Sequence, residues 1–231
     1  MRIVLTGVRK QYGGLRPLRV NSFVLEPEQR VSLRGLDAAA AEMFCLLLTG
    51  AAVPDEGTVV VDGHDTQAIA TDTQWLHSLD RFGLVSHRAV LLDPLTVEAN
   101  LALPLTLSID PIPEEIRRAV ALLADEVGLG RERLSASVQS LSAVDRVRVH
   151  LARALATDPK ILLFEHVTAP LAPGDAAMLG GLLPAIGDDR RLSWIALSED
   201  EHFIGPLGGT TWRLDPGSGD VAAGDGTVRQ W

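Results

Sequence analysis

Residues 141–172 read LSAVDRVRVHLARALATDPKILLFEHVTAPLA, and this stretch decides the predicted fold. Apolar residues recur at helical spacing through its first half, which predicts an amphipathic helix. The Asp158-Pro159 pair should stop that helix, because proline pushes the residue before it out of the α region. Residues 161–164 then form an unbroken apolar run, which is typical of a parallel strand buried on both faces.

Two ionisable residues, Glu165 and His166, follow the apolar run directly. In parallel sheets the carboxyl ends of the strands deliver their residues to a ligand crevice. The stretch therefore predicts an α/β protein with a candidate site at the end of this strand.

The same residues resemble the signature helix, Walker B and D-loop region of ABC-transporter ATPase subunits. Residues 141–142 (LS), Arg148, residues 152–155 (ARAL) and residues 159–160 (PK) match the family pattern in register. The resemblance implies a P-loop NTPase-like α/β core, with a mixed sheet flanked by helices, an N-terminal antiparallel β part and an inserted α-helical subdomain. It also implies ATP and Mg²⁺ as cofactors, an integral membrane permease as a partner, and a homo- or heterodimer with an ABC ATPase.

The resemblance covers nearly the whole chain and divides it into two parts. We expect a single ABC ATPase-like domain over residues 1–231, with its core in residues 1–85 and 160–231. Residues 86–159 would form the Q-loop region and the inserted helical lobe, in which residues 114–127 predict an amphipathic helix.

Composition sets limits on the class of protein. The chain has 231 residues, of which 46% are hydrophobic and 22% are charged, as in a globular domain. A net charge of -9 argues against nucleic acid as a partner, because no basic excess exists to neutralise phosphates. A single cysteine excludes an internal disulfide, and no apolar run reaches the ~18 residues of a membrane span. We therefore expect a cytoplasmic chain that lies at the inner face of the membrane through its partner.

Residues 35–43 occupy the place of a phosphate-binding loop, between a predicted strand and an apolar helix. That loop needs the pattern G-x-x-x-x-G-K-[ST], in which lysine contacts the terminal phosphates and the hydroxyl binds magnesium. Ala40, Ala41 and Glu42 stand at the second glycine, the lysine and the hydroxyl. The candidate nucleotide-binding positions are Tyr12, Gly35, Leu36, Asp37, Ala38, Ala39, Ala40, Ala41, Glu42, His87 and Ser142.

Charge at this loop argues against ordinary Mg-ATP binding. A like charge about 4 Å away costs roughly 4 kcal/mol in a partly exposed site, so Glu42 would oppose a phosphate. The helix N-terminus attracts an anion by only about 0.3 to 2 kcal/mol. Asp37 and Glu42 could also satisfy the helix dipole themselves, in the role that a phosphate would take.

The roles of two further residues can each be interpreted in more than one way. Tyr12 lies where the family stacks an aromatic ring on adenine, but a half-buried tyrosine at a strand end explains it equally well. His87 lies at the glutamine of the Q-loop, where it could donate a hydrogen bond, bind a metal, or simply be solvated.

The candidate catalytic positions also differ from the family pattern. Glu165 stands at the magnesium-binding aspartate and is a candidate metal ligand, while His166 stands at the glutamate that polarises water. Glu199 stands at the switch histidine. In the signature motif Ser142 remains, but Ala143-Val144 replaces the two glycines that allow close approach to a phosphate.

Three hypotheses about function follow from these patterns. The first is a catalytically impaired ABC ATPase subunit that serves a permease or a paired ATPase. The second is an active ATP-hydrolysing subunit with atypical residues. The third is a module that binds a metal or a cationic ligand, since carboxylates and imidazoles would converge at the old phosphate site. That convergent set comprises Asp37, Glu42, His87, Glu165, His166 and Glu199.

Overall fold

This computed structural model describes residues 1–223. They form two β-sheets with surrounding helices. The strands are β1 Ile3–Lys10, β2 Leu18–Leu25, β3 Arg30–Arg34, β4 Glu56–Val61, β5 His64–Asp65, β6 Phe82–Ser86, β7 Ile161–Glu165, β8 Ser193–Leu197, β9 Thr210–Leu214 and β10 Val221–Ala223. The helices are α1 Ala38–Leu48, α2 Asp72–Leu79, α3 Val97–Ala102, α4 Glu114–Glu126, α5 Ala143–Leu155, α6 Pro173–Arg190 and α7 Glu201–Leu207.

The smaller sheet is antiparallel and has the order β2-β1-β4-β5. Its strands alternate between buried and more exposed residues, as expected when one face packs on a core and the other meets solvent. The sheet is the N-terminal antiparallel part that the sequence predicts, and its buried face packs against the same core as α1.

The larger sheet is mixed and has the order β10-β9-β3-β8-β7-β6. The pairs from β9 to β6 are parallel, and β10 adds an antiparallel edge. Alternate residues of β7 face two cores, with Leu162 and Phe164 on one side and Ile161 and Leu163 on the other. All five residues of β7 are buried, which confirms the prediction of a strand covered on both faces.

Helices α3, α4 and α5 contact one another and pack beside β6 and β7. Arg190 of α6 donates to both carboxylate oxygens of Glu126 in α4, at 2.5 and 2.7 Å, and so joins α4 to the helix that follows β7. The division of the chain at residues 86–159 stays a prediction, and residues 224–231 of the predicted core lie outside the described part. None of the helices in residues 1–223 combines the length and the apolar character that crossing a bilayer demands.

Candidate functional site

The carboxyl ends of β6, β7 and β8 lie side by side in the larger sheet. Ser86 pairs with Glu165, and Glu165 pairs with Leu197. The segments that follow these strands therefore meet at one edge of the sheet, as the parallel topology predicts. The loop between β3 and α1 opens onto the same edge, because β3 is the next parallel strand.

In the loop that precedes α1, a carboxylate of the loop itself accepts a hydrogen bond from a backbone amide. Asp37 is the N-cap of α1, and its Oδ1 accepts a hydrogen bond from the Ala40 amide at 2.8 Å. A side-chain cap of this kind satisfies one of the free amides at a helix start. The expectation that Asp37 serves the helix N-terminus is confirmed. Ala41, which stands at the lysine position, is 0% exposed.

Gly35 begins this loop in a conformation that suits glycine alone. Its φ is 93°, and a Cβ at this position would lie 2.0 Å from the carbonyl oxygen of Leu214. The Gly35 amide donates to Glu199 Oε1 at 2.5 Å. The second amide of the candidate phosphate loop is thus also bound by a carboxylate of the protein.

Glu199 is held by cations as well as by this amide. Its Oε2 accepts from Arg34 Nε at 2.9 Å and from Arg213 Nη2 at 3.4 Å. Burial opposes ionisation of Glu199, but the bonds from Gly35 and Arg34 outweigh it and lower the pKa of the carboxyl group. The residue at the switch position is therefore an anion fixed against the loop.

A third contact joins α1 to the end of β7 through Arg88, which sequence reasoning missed. Arg88 donates to both carboxylate oxygens of Glu165, from Nε at 2.8 Å and from Nη2 at 2.5 Å. Its Nη1 donates to Glu42 Oε1 at 2.7 Å. The pKa of the Arg88 guanidinium is raised, above all by its hydrogen bonds to Glu165. We name Glu42, Arg88 and Glu165 the ion triad.

The ion triad bears on two expectations, and it corrects the first. Glu42 does not serve the dipole of α1, because its carboxylate turns to Arg88 instead. The metal site at Glu165 stays a prediction, and in this structure both oxygens of Glu165 accept hydrogen bonds from the guanidinium. Across residues 1–223, no group of three or more His, Cys, Asp and Glu side chains is arranged to hold a metal ion.

The two histidines of the predicted set of six line a cavity whose lining includes none of the four carboxylates. His87 and His166 line a cavity of about 140 Å³ together with Arg146 and His150 of α5. His166 has a φ of 44°, and its Nε2 is buried without a hydrogen-bond partner. The Nδ1 atom of His150 is likewise unpartnered. Burial, with smaller effects from nearby cations, lowers the pKa of His150 to about 4.

Two other candidate residues have structural roles at the edge of this region. Ser142 is the N-cap of α5, and its hydroxyl accepts from the Asp145 amide at 3.2 Å. Tyr12 packs partly buried against the core that contains α1. Burial, followed by the charge of Asp37, raises the pKa of the Tyr12 phenol.

Comparison with known proteins decides the family. A family model described as ABC transporter matches residues 18–169. The chain belongs to the ABC transporter family. It is 34% identical over 188 residues to the methionine import ATP-binding protein MetN 1 of Pseudomonas fluorescens, a match that covers 81% of this chain and 55% of the relative. The chain therefore spans just over half the length of that ABC relative.

A second relative and two solved structures agree with this assignment. The lipoprotein-releasing system ATP-binding protein LolD of Pseudomonas syringae pv. tomato is 30% identical, with 76% of this chain and 77% of that protein covered. The structure of cbiO1 from Clostridium perfringens, part of the ABC transporter complex cbiONQ, has a TM-score of 0.79 at 17% identity and covers 95% of this chain and 86% of that one. A dimeric bacterial ABC transporter cassette has a TM-score of 0.77 at 23% identity, with 95% and 96% covered. The predicted ABC ATPase fold is confirmed.

The ABC family implies ATP and Mg²⁺, but the donors around this loop do not fit them. A magnesium nucleotide requires free backbone amides, a lysine and a hydroxyl. Here the amides of Gly35 and Ala40 already donate to carboxylates, and Ala41 and Glu42 supply neither of the two side chains.

Proposed function

We propose that this chain is a catalytically impaired ABC ATP-binding subunit, which acts as a regulatory or structural partner of a membrane permease or of a paired ATPase. The observation that carries this proposal is the engagement of the loop amides. Asp37 accepts from Ala40 and Glu199 accepts from Gly35, so carboxylates of the protein take positions that a phosphate would need.

Electrostatics supports the proposal. A triphosphate entering this loop would meet the carboxylate of Asp37, which pairs with no cation in residues 1–223, and those of Glu42 and Glu199, which pair with Arg88 and Arg34. One like charge at about 4 Å costs roughly 4 kcal/mol at an effective dielectric constant of 20. The attraction of the helix N-terminus, about 0.3 to 2 kcal/mol, is too small to offset even one of them. Nearby Arg34, which could attract a phosphate, is itself bonded to Glu199.

The signature region supports the same conclusion for the partner's site. Ser142 accepts from the Asp145 amide as a helix cap, and Ala143-Val144 stands where glycines would let a backbone approach a phosphate. A β-branched valine resists unusual backbone angles and adds bulk. We therefore propose that this subunit is also a poor lid over a nucleotide bound to a paired ATPase.

The remaining roles follow from the family. We propose that residues 86–159 form the Q-loop region and helical lobe that face the permease, and that the chain pairs with itself or with another ABC ATPase. This would hold it at the inner face of the membrane through its partner. The methionine-import and lipoprotein-releasing relatives are ATP-binding proteins of such systems by name, and the substrate of a system containing this chain is left open.

Equilibrium ATP binding, measured by calorimetry with and without Mg²⁺, tests the proposal. We expect no binding at millimolar ATP, with a catalytically active ABC cassette as the positive control. Mg²⁺-dependent ATP turnover by the purified protein that is lost in Glu165→Ala would instead establish an active enzyme with atypical residues.

A further inference from the structure

The guanidinium of Arg88 lies between two carboxylates that belong to different elements. It meets Glu165, at the end of β7, in a two-bond pair at 2.8 and 2.5 Å, and it meets Glu42, in α1, at 2.7 Å. Three of its five N–H groups are used in these bonds. The planar fork of arginine suits such a paired contact with a carboxylate better than a lysine would.

Burial makes this contact necessary for Glu165. The side chain of Glu165 is 2% exposed, whereas those of Arg88 and Glu42 are 30% and 44% exposed. An ionised carboxylate removed from water is strongly unfavourable unless a cation and hydrogen bonds compensate it. Within residues 1–223, Arg88 is the only cation that pairs with Glu165.

The two carboxylates stand at the positions of two magnesium-binding side chains in the ABC family. Glu42 occupies the place of the hydroxyl that binds magnesium, and Glu165 occupies the place of the aspartate that does so. We propose that Arg88 is a built-in substitute for the divalent cation, which joins α1 to β7 by the contacts that a metal ion would otherwise make. This deepens the proposed function and rests on it, because it assumes that the site works without a nucleotide.

The segment that carries Arg88 is also held by hydrogen bonds outside the ion triad. The Arg88 amide donates to Ser86 Oγ at 3.1 Å, and the Val90 carbonyl accepts from Arg153 Nη1 at 2.8 Å. The Asn100 side chain binds both the amide and the carbonyl of Leu92, at 2.8 and 3.0 Å. Residues 86–92 are therefore tied at several points by the protein alone, without a nucleotide to order them.

Charge predicts what happens when the guanidinium is removed. Two glutamates and one arginine leave one negative charge in the ion triad, and the Arg88→Ala variant would leave two. Hard divalent cations prefer carboxylate oxygens, and Mn²⁺ serves as a probe for Mg²⁺ at such sites. The variant should therefore expose a cation site, formed by Glu42 and Glu165, that the natural protein keeps closed.

The experiment measures Mn²⁺ binding by electron paramagnetic resonance, without any nucleotide. We compare the natural protein, Arg88→Ala, and the matched control Arg88→Ala with Glu42→Gln, which keeps only one of the two carboxylates. We expect Arg88→Ala to bind one Mn²⁺ at least about 10-fold more tightly than either of the others. Mn²⁺ should also raise the Tm of Arg88→Ala alone, because a ligand that binds only the folded state stabilises it.

Several outcomes would overturn the proposal. They are tight Mn²⁺ binding by the natural protein, a folded Arg88→Ala variant with no gain in affinity, and an equal gain in the Glu42→Gln control. Arg88→Ala is expected to lose on the order of 10 °C in Tm, since it leaves a buried carboxylate unpaired. If it fails to fold, Mn²⁺ should restore folding, and failure to do so counts against the proposal.

Hydrogen exchange supplies a second measurement on the same variants. Residues 86–92 should be protected in the natural protein, exchange faster in Arg88→Ala, and regain protection when Mn²⁺ is added. Unchanged exchange in Arg88→Ala would also contradict the role of Arg88. None of these measurements uses ATP, so their failure is distinct from that of the proposed function, which fails only if the natural protein binds or hydrolyses ATP.

Discussion

Acid is expected to destabilise the protein through His150, a side chain that is 7% exposed. Burial, followed by Arg153, Arg146 and His87, lowers its pKa from 6.5 to about 4. The native state therefore keeps the imidazole neutral at pH values where the unfolded chain protonates it. Because the unfolded state binds more protons, the free energy of unfolding falls as the pH drops from 6.5 towards 4, and His150 has no such effect above that window.

The size of the effect follows from the shift. One pKa unit corresponds to about 1.4 kcal/mol, so lowering the pH to about 4.5 should remove about 2 to 3 kcal/mol through this residue. The assay is urea unfolding of the natural protein and of His150→Gln, at pH values from about 7 to about 4.5. Carboxylates that titrate in the same range affect both proteins and cancel in the difference.

The stability difference between the two proteins should therefore shift by about 2 to 3 kcal/mol in favour of His150→Gln as the pH falls. The control is His202→Gln, in which an exposed histidine is replaced and no such shift is expected. Parallel curves for the natural protein and His150→Gln would refute the argument that burial keeps this imidazole neutral.

Further substitutions test the packing of α6 and the candidate phosphate loop. Gly180→Ala should cost about 1 to 3 kcal/mol in urea unfolding, because its Cβ would lie 2.4 Å from the carbonyl oxygen of Phe203. Gly181→Ala, with no atom nearer than 4.0 Å, should instead be neutral or stabilising by up to about 1 kcal/mol, and equal losses in both would contradict this. Ala41→Lys combined with Glu42→Ser should raise ATP affinity at least about 10-fold in calorimetry, since it removes one like charge and adds a cation. No gain in that double variant would mean that the loop itself has lost the shape for phosphate.

Most of the fold could be predicted from local patterns. The apolar run at 161–164 and the helical periodicity before it depend only on neighbours along the chain, and both became elements with nearly the expected bounds. The role of Asp37 at the N-terminus of α1 could be predicted for the same reason, because an N-cap side chain bonds to an amide only three residues away.

Contacts between distant segments were harder to predict. Arg88 is separated from Glu165 by 77 positions and from Glu42 by 46, and their meeting depends on β6 lying beside β7. The order of strands in a sheet is not written in any local pattern. In the structure Arg88 follows β6 by two residues, at the edge where the strand ends of a parallel sheet lie together. His150 gave no signal of its own, because its place in α5 is like that of other residues on the buried face.

The several partners of Glu199 have a consequence for how such a protein can evolve. This carboxylate binds the Gly35 amide, Arg34 and Arg213 together, so a substitution to histidine at 199 would remove a negative acceptor from all three, although Arg34 would keep its contact with Glu201. Loss of one partner from a buried hydrogen bond costs about 1 to 3 kcal/mol, and loss of these partly exposed contacts costs less because water can replace the carboxylate. A histidine at this position, where the ABC family pattern has one, would thus be acquired only with a loss of stability unless other residues changed with it.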